Sequence, residues 1–182
     1  MRRRDLLAGV ASAGALGGAA AVATGNLPAV LDGGDGSESV EPLTIRTIDA
    51  PGSRDGEVTL PAPGEPTFVD FFATWCDPCV EQMPALAEAN ERIGDRVTFV
   101  SVTTEDVGGS VTEQEVRDWW ADNDGDWLVA ADVSAELAAR FPIGGYPSAR
   151  AMDASGRVRW ATSGTHTADE FVDGIERALG GD

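Results

Sequence analysis

The stretch TFVDFFATWCDPC, residues 67–79, constrains this chain more than any other. Its first seven residues form a run of strand length, apolar apart from Thr67 and Asp70. A strand with one wet face would alternate, so this run reads as buried on both faces. Cysteines follow at 76 and 79, and Pro78 between them suits the first turn of a helix, where its missing N–H costs nothing. Met83, Leu86, Ala87 and Ile93 then share one helical face, and Gly94 ends the helix. Pro84 inside that helix is expected to kink it.

The flanking sequence has the same character. Residues 43–48 and 57–60 alternate around the turn DAPGSRDG, which predicts a hairpin. RVTFVSV (96–102) is a further buried strand, and 110–123 read as a helix opened by a capping box from Ser110 to Glu113. WLVAAD (127–132) reads as a strand and 134–141 as a short helix. PSARAM and RVRWATS are strands joined by the DASG turn, and 165–180 form a closing helix boxed by Thr167 and Glu170. A hairpin, then βαβαβα, then ββα implies an α/β fold with a mixed central sheet between helices.

The ends and the charge add context. Residues 1–23 carry Arg3-Arg4-Asp5-Leu6-Leu7 and then a weakly apolar Ala/Gly/Val run, which resembles a twin-arginine export signal with a small-residue cleavage site before Thr24. The segment 6–23 serves either as a cleaved signal or as a membrane anchor. Residues 24–42 read as a flexible acidic, Gly-rich linker, which leaves 43–182 as the folded domain. The chain has 31 acidic residues against 13 basic ones, all Arg, for a net charge of −18. With 42% hydrophobic residues this is a folded domain coated in carboxylates rather than a disordered acidic chain. It resembles proteins of high-salt, haloarchaeal settings, where screening lengths of about 3 Å blunt carboxylate repulsion. The acidic balance argues against nucleic acid as a partner, because no excess of basic residues is available to neutralise phosphate.

Cys76 and Cys79 are the only cysteines. A zinc site lacks ligands, since His166 is the single histidine and reads as a solvated turn residue beside the last helix cap. A copper site from Cys76, Cys79 and His166 is an alternative. A purely structural staple closes too small a loop to stabilise much through chain entropy. Redox chemistry accounts for the setting: Cys76 stands where a strand becomes a helix, so free N–H groups and the helix dipole favour its thiolate. Cys79, one turn further in, is placed to resolve a mixed disulfide.

VDFFATWCDPC, with Pro84 five residues beyond the second cysteine, resembles the thioredoxin signature. Gly145-Tyr146-Pro147-Ser148 and the Asp153–Val158 hairpin add a second, distant match. Together they resemble the TlpA-like thiol–disulfide oxidoreductases over some three-quarters of the chain, and imply a thioredoxin fold with an added N-terminal β-hairpin. The resemblance implies that Pro147 is cis and lies against the Cys76–Cys79 redox pair, and that the backbone of Tyr146 pairs with substrate like an added strand. By the same resemblance Trp75 is expected to cover the active-site surface, and Asp70, buried on its strand, to relay protons to Cys79 with a raised pKa. Asp77 stands where thioredoxin has Gly and, with Pro78, tunes the pair; its carboxylate disfavours the thiolate and makes the couple more reducing. Relatives that reduce apocytochrome c often carry Glu at the place of Gln82, and thioredoxin's lysine near the buried acid is absent here.

These readings describe an exported enzyme that reduces disulfides in protein substrates and calls for no metal or organic cofactor. Its electrons come from a donor protein, a membrane-embedded one among the candidates. The alternatives are a disulfide-forming oxidant or isomerase, and a copper-delivery protein.

Overall fold

A computed structural model describes residues 39–180 of the chain. The expected export segment and the linker up to residue 38 lie outside the described residues. In order, the elements are β1 (Leu43–Thr47), β2 (Gly56–Leu60), β3 (Thr67–Phe72), α1 (Asp77–Ile93), β4 (Thr98–Thr103), α2 (Glu113–Asp122), β5 (Leu128–Ala131), α3 (Glu136–Arg140), β6 (Ser148–Met152), β7 (Val158–Ser163) and α4 (Ala168–Leu179). They build one seven-stranded sheet in the order β2-β1-β5-β4-β3-β6-β7. Strands β3, β4 and β5 are parallel, while β1, β2, β6 and β7 join antiparallel. The hairpin and the mixed sheet match the sequence expectation.

Alternation along β3 explains why its apolar run is continuous. Phe68 and Phe72 enter a core with Met83 and Leu86 of α1, Val116 and Trp120 of α2, and Phe171 of α4. Val69 and Phe71 point the other way, into a second core with Leu137 of α3 and Phe141. All six residues of β3 are buried. Each fully buried Phe or Val contributes about 1.5–3 kcal/mol relative to exposure, so these two layers set the strand's register and the place where it ends.

Two local expectations need correction. Helix α2 is opened by Thr112, whose hydroxyl accepts from the Glu115 N–H at 3.1 Å while Glu115 reaches back to the Thr112 N–H at 2.7 Å. The box is not Ser110 to Glu113. Residues 106–111 form a turn of their own, with the Val111 N–H on the Asp106 carbonyl, and this delays the helix; Glu113 instead pairs with Arg46 at 2.9 Å. Residues 39–42, read as the end of the linker, are tied to the domain: Ser39 bridges Arg157, and the Val40 N–H bonds the Gly156 carbonyl at 3.0 Å. The Thr167–Glu170 box of α4 is present as expected, and α1 continues through Pro84. Among the described residues no helix is long and apolar enough to cross a membrane.

Candidate active site at the end of β3

The end of β3 and the start of α1 place the dithiol. The Cys76 N–H bonds the Ala73 carbonyl at 3.1 Å, turning the chain through Thr74 and Trp75, and Cys76 is the N-cap of α1. Asp77 and the nearby Pro78 lie in the first turn, both exposed. The sulfurs form a disulfide, S–S 2.11 Å, and the Cys76 Sγ also accepts from the Cys79 N–H at 3.2 Å. The free amide end of a helix is therefore aimed at one sulfur, an arrangement that stabilises negative charge there. Both cysteines are buried in this oxidised form, at 4% and 2% exposure, whereas Trp75 beside them is 70% exposed.

Asp70 lies earlier on β3. Period-2 alternation puts it on the same sheet face as Phe68 and Phe72, the face that packs Cys76, Cys79 and α1. It is 2% exposed; Oδ2 accepts from the Ser101 hydroxyl at 3.1 Å, and buried Oδ1 has no protein partner. The Ser101 oxygen in turn accepts from the Trp127 indole N–H at 3.0 Å. Burial pushes the Asp70 pKa from 3.8 up to about 7, against the single lowering influence of Ser101.

The opposite lip is the loop before β6. The Tyr146–Pro147 bond is cis, as the resemblance implied. The Tyr146 ring meets Trp75 edge-on at 5.8 Å, which brings this lip beside the cysteine turn. The Tyr146 hydroxyl bonds that of Thr104, and the Gly164 N–H bonds the Pro147 carbonyl at 2.9 Å. Asp153 organises the hairpin behind the lip, accepting from Ser155 N–H and hydroxyl, Arg157 N–H and Arg159 Nε. Burial opposes its ionisation, but the hydrogen bonds from Ser155, Arg159 and the backbone prevail and hold its pKa at about 2.

Three contacts had no counterpart in the sequence reading. Glu105 accepts from the Thr74 N–H and hydroxyl, both at 2.8 Å, and from the Thr103 hydroxyl at 2.9 Å. It therefore clamps the turn that carries Trp75 and Cys76, and its neighbour Thr104 holds Tyr146 on the other lip. Gln82 is buried and exchanges two hydrogen bonds with the backbone of His166, donating to the carbonyl at 2.9 Å and accepting from the N–H at 2.6 Å. A Glu in its place could not donate to that carbonyl in ionised form. Arg150 is buried within β6. Strand-length apolar runs signal burial, but Thr74 lies 31 residues from Glu105 and Gln82 lies 84 from His166, so periodicity carried no sign of these contacts.

His166 is not the solvated turn residue expected. Its ring bonds the Thr162 hydroxyl, lies 3.4 Å from Glu170, and sits edge-on to Trp160 and Phe171 at 6.2 and 6.0 Å. It is thus engaged by β7 and α4 rather than turned to the cysteines. Among the described residues no group of three or more His, Cys, Asp or Glu side chains is placed to hold a metal ion.

The family model described as Redoxin matches residues 45–179. The thioredoxin-like protein YneN of Bacillus subtilis is 28% identical over 110 residues, which span 60% of this chain and 63% of that protein. The chloroplastic thioredoxin Y of Oryza sativa subsp. japonica is 46% identical over 41 residues, 22% of this chain and 24% of the rice protein. The chain thus spans less than two thirds of either relative. Among solved structures, a putative thiol:disulfide interchange protein DsbE from Chlorobium tepidum superposes with a TM-score of 0.65 at 21% identity, covering 79% of this chain and 97% of that one.

Proposed function

The chain belongs to the Redoxin family and has the thioredoxin fold, and from that premise we propose that it is an exported enzyme that reduces disulfides in protein substrates through Cys76 and Cys79. The observation that carries this reading is the combination, on β3 and the start of α1, of a sulfur capped by a helix N–H, a partner sulfur one turn further on, and on the same sheet face a buried acid with a pKa near neutrality.

In the reduced protein the Cys76 thiolate attacks a substrate disulfide. One S–S bond forms as another breaks, and the first substrate sulfur leaves as a thiolate. Cys79 then gives its proton to the Asp70 carboxylate through water and attacks Cys76, which releases the second substrate thiol and leaves the protein oxidised. An acid near neutrality is matched to this exchange, because it can take the proton and return it at working pH. The Tyr146 backbone and Pro147 receive the substrate as an added strand, with Trp75 as the apolar floor. A donor protein, membrane-embedded or soluble, restores the dithiol with two electrons.

Direction follows from charge. Asp77 adjoins the thiolate and Glu105 clamps the turn before it, both disfavouring negative sulfur and so favouring electron donation. Export is supported by the arginine pair and apolar run of residues 1–23, and the acidic surface suits a high-salt exterior.

The test is the reduction potential of the Cys76–Cys79 pair, measured by equilibration with glutathione or dithiothreitol in multimolar salt. A value at or below about −250 mV is expected. A value above about −180 mV overturns the reductase direction and makes the protein an oxidant or isomerase.

A further inference from the structure

Strand β6 is buried on both faces, yet its middle residue is Arg150, 5% exposed. Ala149 and Ala151 pack on the α1 side, and Met152, which shares the Arg150 face, packs in the second core with α3. The side chain is therefore largely removed from water. Among the described residues it has no ion-pair partner. Its donors go to three backbone carbonyls instead: Nη1 to Ala149 and Thr162, each at 2.8 Å, and Nη2 to Pro142 at 3.0 Å. Burial lowers its pKa, the direction expected of a cation deprived of water with no anion nearby.

A cation buried without an anion is unfavourable for folding, and an apolar side chain in its place is commonly neutral or better. The use to which Arg150 is put must therefore lie in what it holds. Ala149 and Thr162 belong to β6 and β7 themselves. Pro142 does not: it opens the loop 142–147 that ends in Tyr146 and cis Pro147. That loop contains Gly144 and Gly145, the latter at φ +155, whose Cβ positions are open, so its interior offers little resistance to rearrangement. Its far end is fixed by the Ser148 hydroxyl on the Gly145 carbonyl at 2.6 Å and by the Thr104–Tyr146 hydroxyl pair. Among the described residues the guanidinium supplies the hydrogen bond that ties its near end to the sheet, beside the packing of Ile143 on the second core.

We propose that Arg150 is a positioning residue that fixes the Tyr146–Pro147 lip from inside the sheet, and so sets how tightly a polypeptide disulfide substrate is held. The inference rests on the disulfide-exchange reading for its substrate, but its structural half stands alone. Arg150 lies on the sheet face opposite the cysteines, so it acts on substrate binding and leaves the thiol chemistry unchanged.

The experiment compares Arg150→Met and Arg150→Lys with the parent in two assays. The first is amide hydrogen exchange of residues 141–147, read at Phe141 and Ile143, whose N–H groups are hydrogen-bonded; Pro142 and Pro147 have none. The methionine variant is expected to exchange there about tenfold faster, the equivalent of one charge-assisted hydrogen bond, with α1 and β3 unchanged. Lysine, which keeps a donor, is expected to recover part of the protection, and it serves as the test if the methionine variant does not fold. Unchanged exchange of 141–147 in a folded variant overturns the proposal. The second assay is reduction of insulin with dithiothreitol as electron source, beside reduction of the small disulfide 5,5′-dithiobis(2-nitrobenzoate). The KM for insulin is expected to rise about tenfold in the methionine variant, with the small-disulfide rate and the Cys76–Cys79 exchange equilibrium each held within twofold of the parent. Equal insulin KM values, or a joint shift of all three readouts, also overturn it. A parent protein that reduces neither disulfide sinks the disulfide-exchange reading instead, and the exchange assay still decides whether Arg150 holds the lip.

Discussion

Replacing Asp70 with Asn should change the pH dependence of stability in a direction and by an amount that the structure specifies. The carboxyl is 2% exposed, has one hydroxyl donor and one orphan oxygen, and titrates at about 7 instead of 3.8. Between those two values the folded protein keeps a proton that the unfolded chain has released. The stability that Asp70 contributes is therefore fully present below about pH 4 and is lost as pH rises to 7, by about 1.4 kcal/mol per unit and about 4 kcal/mol in all. Asn cannot ionise, so the variant lacks this decline. Its own misfit, chiefly an amide facing a site built for one hydrogen bond, is independent of pH and moves the curve without changing its shape. The assay is urea unfolding of the oxidised protein at fixed ionic strength, read through the buried tryptophans Trp120 and Trp127 at half-unit steps from pH 4 to 8.5. The stability of the variant minus that of the parent should climb by about 4 kcal/mol over that range. A difference that stays flat to within about 1 kcal/mol would refute the reasoning, because Asp70 would then ionise in the folded protein as easily as in water.

Asp153 should behave in the opposite sense. Its pKa falls from 3.8 to about 2, so it stabilises the fold above pH 4 by about 2 kcal/mol, and this is lost as pH falls through 4 towards 2. Asp153→Asn should therefore be less stable at pH 7 by about that amount, with the gap closing in acid; urea unfolding at pH 7 and pH 2.5 checks it. Glu105→Gln leaves one oxygen to serve three donors and removes a negative charge from beside the cysteine turn. The Cys76–Cys79 potential should rise by about 30 mV, tenfold in the exchange equilibrium, as read against glutathione. An unchanged potential means the clamp acts on geometry alone.

What the sequence disclosed and what it withheld divide along a physical line. The element order, the two-faced burial of β3, the helix N-cap at Cys76 and the turn at Asp153 depend on residues within a few positions of one another, and local chemistry decides them. Cis Pro147 was reached through resemblance, since an X–Pro bond carries no local mark of its isomer. The contacts that hold the site in place depend on register. Thr74 meets Glu105 only because β3 and β4 pair in parallel with Phe72 beside Thr103. Gln82 meets His166 only because the loop before α4 reaches α1. The capping box of α2 failed for a related reason: Ser110 and Glu113 have the right spacing, but a tight turn at Asp106 had already claimed Ser110. Asp70 shows both sides at once. Its place in an apolar run foretold burial, and alternation set its face. The extent of its pKa shift depends on the neighbours that pairing supplies: Ser101 from β4 and Ala149 from β6, one hydroxyl and one methyl. A cation at either place would have held the acid ionised; the lone buried cation of the adjoining strand, Arg150, lies one residue further on and therefore on the other side of the sheet.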